Sequence, residues 1–197
     1  MNKDHLEIEV KIPVPDARAF AEKLEAMGLR CIQRISKERN LRYDDAEGTL
    51  KKNHQVLRLR KTEGGDVRLT WKASHESSNG IAIRTEHEVV VNDFDTMKEI
   101  LEGLGYSVFF IYEKYRGIYE FRDTHIFTDR TPIGDFVEIE GANEEVIRSA
   151  AEALGLDWSL HTDKGYLKLF KDWNRDTGSP DRNMVFDEQF PFDGEDE

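Results

Sequence analysis

Three features that mark many secreted and membrane proteins are scarce or absent in this sequence. Only one of its 197 residues is a cysteine, Cys31, which excludes an intrachain disulfide framework. No apolar stretch approaches the roughly 20 residues that a membrane-spanning helix needs. The first residues are charged and lead directly into a strand pattern, unlike a signal peptide. We therefore expect a cytoplasmic protein that does not act at a membrane.

Positive charge is also in short supply, because 28 Lys and Arg residues face 40 Asp and Glu residues, for a net charge of -12. Such a balance argues against nucleic-acid binding. Residues 176–197 hold eight of the acids and one Arg, a net of -7, which leaves -5 for the remainder. Because this segment also lacks hydrophobic periodicity, we predict one domain at 1–175 and an acidic C-terminal tail at 176–197.

The hydrophobic pattern predicts an α+β fold that is rich in strands. The first strand is predicted at Leu6–Ile12, and Asp16 is placed to cap the helix after it. Further strands are predicted in the alternating segments VLRLRK, VRLTWKA, IAIRTEHEVVV and FVEIEG and in a long segment, YSVFFIYEKYRGIYEF. The predicted helices are Ala17–Met27, Asp93–Leu104, Asn143–Leu154 and Asp163–Trp173.

Charged side chains on the predicted strands are sorted by sign. Residues two apart in a strand share a face, so Glu7 and Glu9 lie side by side, with Lys11 next in line. Like charges in adjacent positions destabilise a sheet, which makes this sorting unfavourable unless something neutralises it. The same sorting recurs in an acidic pair and three basic pairs: Glu138/Glu140, Arg58/Arg60, Arg68/Lys72 and Lys114/Arg116.

Two interpretations explain the charged faces. In the first, an ordinary half-exposed sheet turns its polar face to water. In the second, the strands close into a barrel whose interior is a polar tunnel and whose apolar face packs on helices. The sorting favours the second, since clustered carboxylates suit a hard divalent cation and clustered Arg and Lys suit phosphates. A tunnel with both groups would suit a metal-bound oligophosphate.

The residues that carry these charges resemble a known family. Residues 7–11 read E-x-E-x-K, as in the CYTH superfamily, also called triphosphate tunnel metalloenzymes. The resemblance continues through VLRLRK, LTWK, RTEHEV, EKYRGIY, FTDRTPIGDFVEIEG and TDKGYLKLF and covers roughly residues 1–173. In length and in EKYRGIY…GDFVEIEG the chain is similar to the class IV adenylyl cyclase-like branch. The resemblance implies an antiparallel eight-stranded β-barrel flanked by helices.

The resemblance also implies roles for individual residues. The implied ligands of Mg²⁺ or Mn²⁺ are Glu7, Glu9, Asp129, Glu138 and Glu140. The implied triphosphate ligands are Lys11, Arg58, Arg60, Lys72, Arg84, Lys114, Arg116 and Lys164. The implied catalytic residues are Lys11, Glu7 and Glu9. The chain departs from the family pattern at Gly165, where a Ser is usual, which puts the contacts of this segment in doubt.

The implied activity is that of a divalent-metal-dependent enzyme on a small-molecule triphosphate. A class IV adenylate cyclase converts ATP to cyclic AMP and pyrophosphate. The first alternative is a triphosphatase that hydrolyses inorganic tripolyphosphate, thiamine triphosphate or a nucleoside triphosphate. The second is a non-catalytic polyphosphate- or nucleotide-binding module. Family analogy alone suggests a homodimer.

Overall fold

The computed structural model describes residues 5–75 and 79–187. Eight strands and five helices, with a 3₁₀ helix at Trp158–Leu160, make up the described chain. In chain order the elements are β1 (Leu6–Val14), α1 (Ala17–Ala26), β2 (Arg30–Asp44), α2 (Thr49–Lys52), β3 (Gln55–Thr62), β4 (Val67–Ser74), β5 (Ala82–Val91), α3 (Phe94–Gly103), β6 (Ser107–Phe121), β7 (Thr124–Thr131), β8 (Gly134–Gly141), α4 (Glu144–Ala153) and α5 (Tyr166–Thr177).

The strands form one antiparallel sheet that closes on itself, which confirms the predicted eight-stranded barrel. Around the ring the order is β1-β5-β4-β3-β2-β6-β7-β8, and β8 pairs again with β1. In this register Glu9 lies opposite Glu140, and Glu7 lies opposite Arg84. The two predicted acidic strands are therefore direct neighbours in the wall.

Three of the predicted helix starts are confirmed by their caps. The side chains of Asp16, Asp93 and Asn143 each accept a hydrogen bond from the backbone N–H three residues later. These bonds satisfy N–H groups that have no partner within the helix. Helix α1 therefore begins at its predicted residue, whereas α3 and α4 begin one residue later than predicted, because Asp93 and Asn143 are their N-caps.

The apolar faces of the strands point outward and pack against the helices. One buried cluster joins β1, β7 and β8 to α1 and α4, and includes Ile12, Leu24, Val137 and Ile147. A second joins β2 and β3 to α3. A third cluster, with Met184 of the C-terminal segment, lies on the inward face of β6 and β8, where α5 closes one end of the barrel. The charged faces are left for the barrel interior.

Some elements differ from the prediction. Strand β1 continues through Pro13 to Val14. The backbone N–H of Lys11 points away from β8 and donates to Thr162. Because Pro13 is two residues further along the strand, its backbone nitrogen faces the same side, where β5 no longer pairs with β1. The missing N–H of the proline therefore costs no ladder hydrogen bond. The helices Thr49–Lys52 and Trp158–Leu160 were not predicted.

The last helix begins later and ends later than predicted. Helix α5 runs from Tyr166 to Thr177 rather than from Asp163 to Trp173, and Gly178 ends it in the left-handed conformation, with φ of 73°. It thus passes the domain boundary expected at residue 175. Met184 is also buried, although it belongs to the segment expected to be a tail. Within the described residues, no helix combines the length and apolar character required to cross a membrane.

Candidate active site in the barrel interior

The barrel encloses a cavity of about 640 Å³ that is lined mainly by charged side chains. This cavity, the tunnel, receives charged residues from strands β1 to β6 and β8. It brings together most of the predicted site residues: Glu7, Glu9, Lys11, Arg58, Arg60, Lys72, Arg84, Lys114, Arg116, Glu138 and Glu140. Asp129 and Lys164 do not line it.

Most of the tunnel cations pair with carboxylates of the described chain. Lys72 Nζ lies 2.6 Å from Glu7, and Arg84 Nη1 lies 2.6 Å from Glu9. Arg60 contacts Glu88 at 3.2 Å. Burial alone would raise the pKa of Glu88, but Arg60 and the neighbouring arginines outweigh burial and lower this pKa to about 2. These pairs compensate most of the charge inside the barrel, which allows it to be buried.

Lys11 lies where the acidic and basic parts of the wall meet. Its Nζ is 2.9 Å from Glu9 and 3.5 Å from Glu138, and the side chain is almost fully buried. Burial opposes the charged form of Glu9, but Lys11 and Arg84 outweigh it and lower the pKa of Glu9 to about 2. Glu9 is therefore a carboxylate at any physiological pH.

The negative charge of the acidic part of the wall is less well compensated at Glu7 and Glu140. Burial and the nearby charges of Glu7 and Glu9 raise the pKa of Glu140 to about 7. Burial and Glu9 also raise the pKa of Glu7, whose Oε2 is buried and accepts no hydrogen bond from any described residue. In the described chain, no cation lies within ion-pair distance of Glu140. This end of the tunnel has an excess of negative charge.

The oxygen donors of this wall fit a hard divalent cation by their chemistry. Uncompensated carboxylates and an unbonded buried oxygen are what such an ion would stabilise. Among residues 5–75 and 79–187, however, no three Asp, Glu, His or Cys side chains converge as a ready-made metal site. The carboxylates instead turn towards their cationic partners.

Asp129 lies on the inward face of β7, opposite Arg116, and is fully buried outside the tunnel lining. Its carboxylate accepts hydrogen bonds from both Arg116 Nε, at 2.6 Å, and Arg116 Nη2. Lys114 Nζ, at 3.0 Å, and the Tyr166 hydroxyl, at 2.5 Å, also donate to it. Asp129 therefore orients the two cations that face the tunnel.

Lys164 lies outside the tunnel lining. Its ammonium group pairs with Asp172 on α5 at 2.8 Å, and the side chain is 44% exposed. Its neighbours Gly165 and Tyr166 do line the tunnel. Gly165, at the position where the family pattern has Ser, precedes α5 without a side-chain cap. The Tyr166 ring lies 5.0 Å from Lys114 Nζ.

Glu38, Arg42 and Tyr112 are among the tunnel-lining residues that sequence reasoning missed. Glu38 and Arg42 have the period-two spacing of a shared strand face. Arg39 obscured the pattern, because it puts a charge on the opposite face, where it pairs with Glu113 at 2.6 Å. Tyr112 is an aromatic side chain in an apolar run, which carries no signal for a polar interior.

Comparisons with known proteins agree with this architecture. A family model described as the CYTH domain matches residues 5–163. The chain belongs to the CYTH domain family. A protein of Methanocaldococcus jannaschii that is provisionally named an adenylate cyclase is 25% identical over 142 residues, which cover 72% of this chain and 79% of that protein.

Two solved CYTH-like structures show the same fold. One, from Vibrio parahaemolyticus and provisionally named an adenylate cyclase, has a TM-score of 0.74 at 20% identity, covering 85% of this chain and 98% of that one. The other, from Hippeastrum, has a TM-score of 0.62 at 16% identity, covering 85% and 95%. That protein is named as an adenylyl cyclase on the same provisional basis and described as having a dominant triphosphatase activity.

Asp129→Asn should destabilise the protein strongly, because it leaves Arg116 and Lys114 buried with a weaker, neutral partner. We expect a loss of about 3–5 kcal/mol in the free energy of unfolding, measured by urea denaturation. Asp66→Asn is the matched control: it removes the exposed partner of Arg68 and should cost about 1 kcal/mol or less. Equal losses in the two variants would contradict the buried role of Asp129.

Glu140→Gln should stabilise the protein at alkaline pH. Because the folded state raises the pKa of Glu140 from 4.5 to about 7, native protein holds a proton that unfolded protein releases in this window. The contribution of Glu140 to the free energy of unfolding therefore falls as pH rises towards 7, by on the order of 1–3 kcal/mol. In metal-free buffer the Tm gain from Glu140→Gln should be larger at pH 8.5 than at pH 5.5. Glu99→Gln, on the exposed surface of α3, should show no such difference.

Proposed function

We propose that this protein is a divalent-metal-dependent enzyme that binds the triphosphate of ATP in its tunnel, with an adenylate cyclase-like reaction as the leading candidate. One observation carries the proposal: buried cations and under-compensated carboxylates face the same cavity. Neither a solvated sheet surface nor a simple anion-binding pocket needs both. Membership of the CYTH family supports a triphosphate as the small-molecule substrate.

The cations of the tunnel would bind the phosphates. Arg58, Arg60 and Arg116 offer guanidinium groups suited to paired contacts with phosphate oxygens. Lys72, Arg84 and Lys114 add further positive charge. Each now faces a carboxylate, so substrate would take over positions that Glu and Asp oxygens occupy in the described protein. Arg58 is already oriented by Thr70 Oγ1 at 3.1 Å.

The carboxylates of β1 and β8 would hold the metal. When phosphates engage Lys72 and Arg84, Glu7 loses its partners and Glu9 keeps only Lys11. These two carboxylates, with Glu140, could then bind a cation. Glu138 is a further candidate from the same wall. Bound there, Mg²⁺ or Mn²⁺ would offset phosphate charge and favour deprotonation of the attacking group. We do not include Asp129 among the metal ligands, because its oxygens already accept hydrogen bonds from Arg116, Lys114 and Tyr166. We do not include Lys164 among the phosphate ligands, because it lies outside the tunnel lining.

Two reactions are compatible with this arrangement of phosphate and metal ligands in the tunnel. In a cyclase the ribose 3′-oxygen forms a bond to the α-phosphorus, the bond to the bridging oxygen breaks, and pyrophosphate leaves. In a triphosphatase the oxygen of water forms a bond to the terminal phosphorus, and the bond from that phosphorus to the bridging oxygen breaks. ADP is then the leaving group, and the terminal phosphate is released as orthophosphate. In either case Lys11 is placed to stabilise negative charge that develops on a phosphate oxygen.

Apolar side chains in the lining support a nucleotide as substrate. Ile32, Ile118 and Phe127 join the charged residues around the cavity, with the amide of Gln33 beside them. Inorganic tripolyphosphate would gain nothing from these groups, whereas a nucleobase could pack against them. The Hippeastrum protein with triphosphatase activity shares the fold, so hydrolysis of the same substrate is the second candidate.

Product analysis tests the proposal directly. We expect cyclic AMP and pyrophosphate from ATP with Mg²⁺ or Mn²⁺; orthophosphate would instead identify a triphosphatase. Glu9→Gln should abolish turnover and weaken Mn²⁺ binding about tenfold or more by calorimetry. Glu38→Gln makes the same charge change on the basic side of the tunnel and should leave Mn²⁺ affinity nearly unchanged. Full Mn²⁺ affinity in Glu9→Gln would refute the metal assignment.

Arg60→Ala should weaken substrate binding more than it slows the chemical step. The loss of a charge-assisted contact to phosphate costs about 1.5–3 kcal/mol, which corresponds to roughly a 10- to 100-fold rise in KM for ATP. Arg30→Ala removes an arginine that is 75% exposed on the barrel exterior, and it serves as the control. An unchanged KM in Arg60→Ala would remove Arg60 from the phosphate-binding set.

A further inference from the structure

Strand β6 has an unpaired edge for half of its length. It pairs with β2 from Ser107 to Glu120, but with β7 only from Tyr115 onward. The stretch 108–114 therefore lacks a neighbouring strand on the β7 side. This stretch includes Tyr112 and Lys114, both of which line the tunnel. An edge of this kind leaves backbone donors and acceptors without partners.

The C-terminal segment occupies this edge. We call residues 183–187 the strap. Met184 forms a parallel bridge with Tyr112: its N–H donates to Ile111 O at 2.9 Å, and its carbonyl accepts from Glu113 N at 2.8 Å. Asn183 Oδ1 accepts the remaining Ile111 N–H at 2.9 Å. Three hydrogen bonds thus complete the wall where β7 ends.

Side chains anchor the strap on both sides of these bonds. Met184 is only 1% exposed and packs in the aromatic cluster with Phe110, Tyr112 and Phe170. Beyond it, the Phe186 ring lies 5.1 Å from the ring of Tyr115. Backbone hydrogen bonds and side-chain packing therefore both hold the strap on β6.

A charged cluster outside the barrel adds to this anchor. The backbone N–H of Phe186 donates to Glu113 Oε2 at 3.3 Å. Glu113 also pairs with Arg39 at 2.6 Å and with Lys37 at 3.2 Å. The strap is thus tied to β6 and, through Glu113, to β2.

The residues that the strap holds belong to the tunnel. The Tyr112 hydroxyl accepts from Arg58 Nη1 at 3.4 Å, and Lys114 Nζ donates to Asp129 at 3.0 Å. Met184 lies beside Tyr112, as its bridge partner, and in the same cluster as Tyr166, which contacts Asp129. A shift of β6 at residues 111–113 would move both side chains relative to the other cations.

We propose that the strap is a positioning element of the substrate site, which fixes Tyr112 and Lys114 so that the tunnel binds a triphosphate tightly. This inference rests on the proposed function of the tunnel. The strap lies beyond residues 5–163, which the CYTH family model matches. The C-terminal segment thus contributes to the binding wall from outside the matched residues.

Two truncations of the chain test this inference. The first ends at Arg182 and lacks the strap; the second ends at Asp187 and keeps it. Tripolyphosphate binding with Mg²⁺ is measured by calorimetry, well below the Tm of each protein. We expect the first truncation to raise Kd about tenfold, and the second to stay within about twofold of the full chain.

Two point variants make the same comparison without shortening the chain. Met184→Pro removes the N–H that donates to Ile111 O and should raise Kd like the shorter truncation. Met184→Leu keeps that N–H and an apolar side chain, so it should bind like the full chain. If the shorter truncation does not fold, Asn183→Ala replaces it, since this variant removes a single acceptor.

The outcomes separate the two proposals. A lower Tm with unchanged Kd in the strap variants would make the strap merely structural and overturn the inference. Faster hydrogen exchange at the Ile111 and Glu113 amides, together with weaker binding, would support it. Failure of the full chain to bind tripolyphosphate or ATP would instead overturn the proposed function, whatever the strap variants do.

Discussion

Compensation of buried charge is the constraint on which this structure depends. The barrel interior holds Arg, Lys, Glu and Asp side chains that are almost entirely removed from water, and burying each of them alone would be prohibitive. They are stable together because nearly every cation contacts a carboxylate on another strand. Asp129 is the clearest case, since one carboxylate holds Arg116, Lys114 and the hydroxyl of Tyr166.

The polar interior determines where everything else must lie. A strand that turns charges inward turns its apolar residues outward, so the hydrophobic core lies between the barrel and its helices. Helices α1, α3 and α4 cover these outer faces, whereas α5 closes one end of the barrel. The strands therefore separate two buried regions, a charged barrel interior and an apolar layer between the barrel and its helices.

Incomplete compensation is what gives the interior its functional character. The raised pKa of Glu140, and an oxygen of Glu7 without a hydrogen bond, mark the part of the wall where negative charge exceeds positive charge. A protein selected for stability alone would replace these groups with apolar ones. Their presence is best explained by a cation and a polyanion that complete the network, as the proposed function requires. The strap matters for the same reason, because a network of charged contacts tolerates little displacement of its members.

The sequence by itself determined the fold class, the starts of three helices to within one residue and most of the tunnel residues, and its resemblance to the CYTH family implied the barrel. These follow from local patterns: alternation decides which face a side chain takes, and sorted charges show which face avoids water without being apolar. The tertiary structure alone decided that Asp129 is buried within the barrel away from the tunnel lining, that Lys164 turns to Asp172, and that Glu38, Arg42 and Tyr112 line the tunnel. It alone placed Met184 on the edge of β6. Those features depend on which strands become neighbours and where each strand ends, and contacts between residues far apart in the chain leave no periodic signal in it.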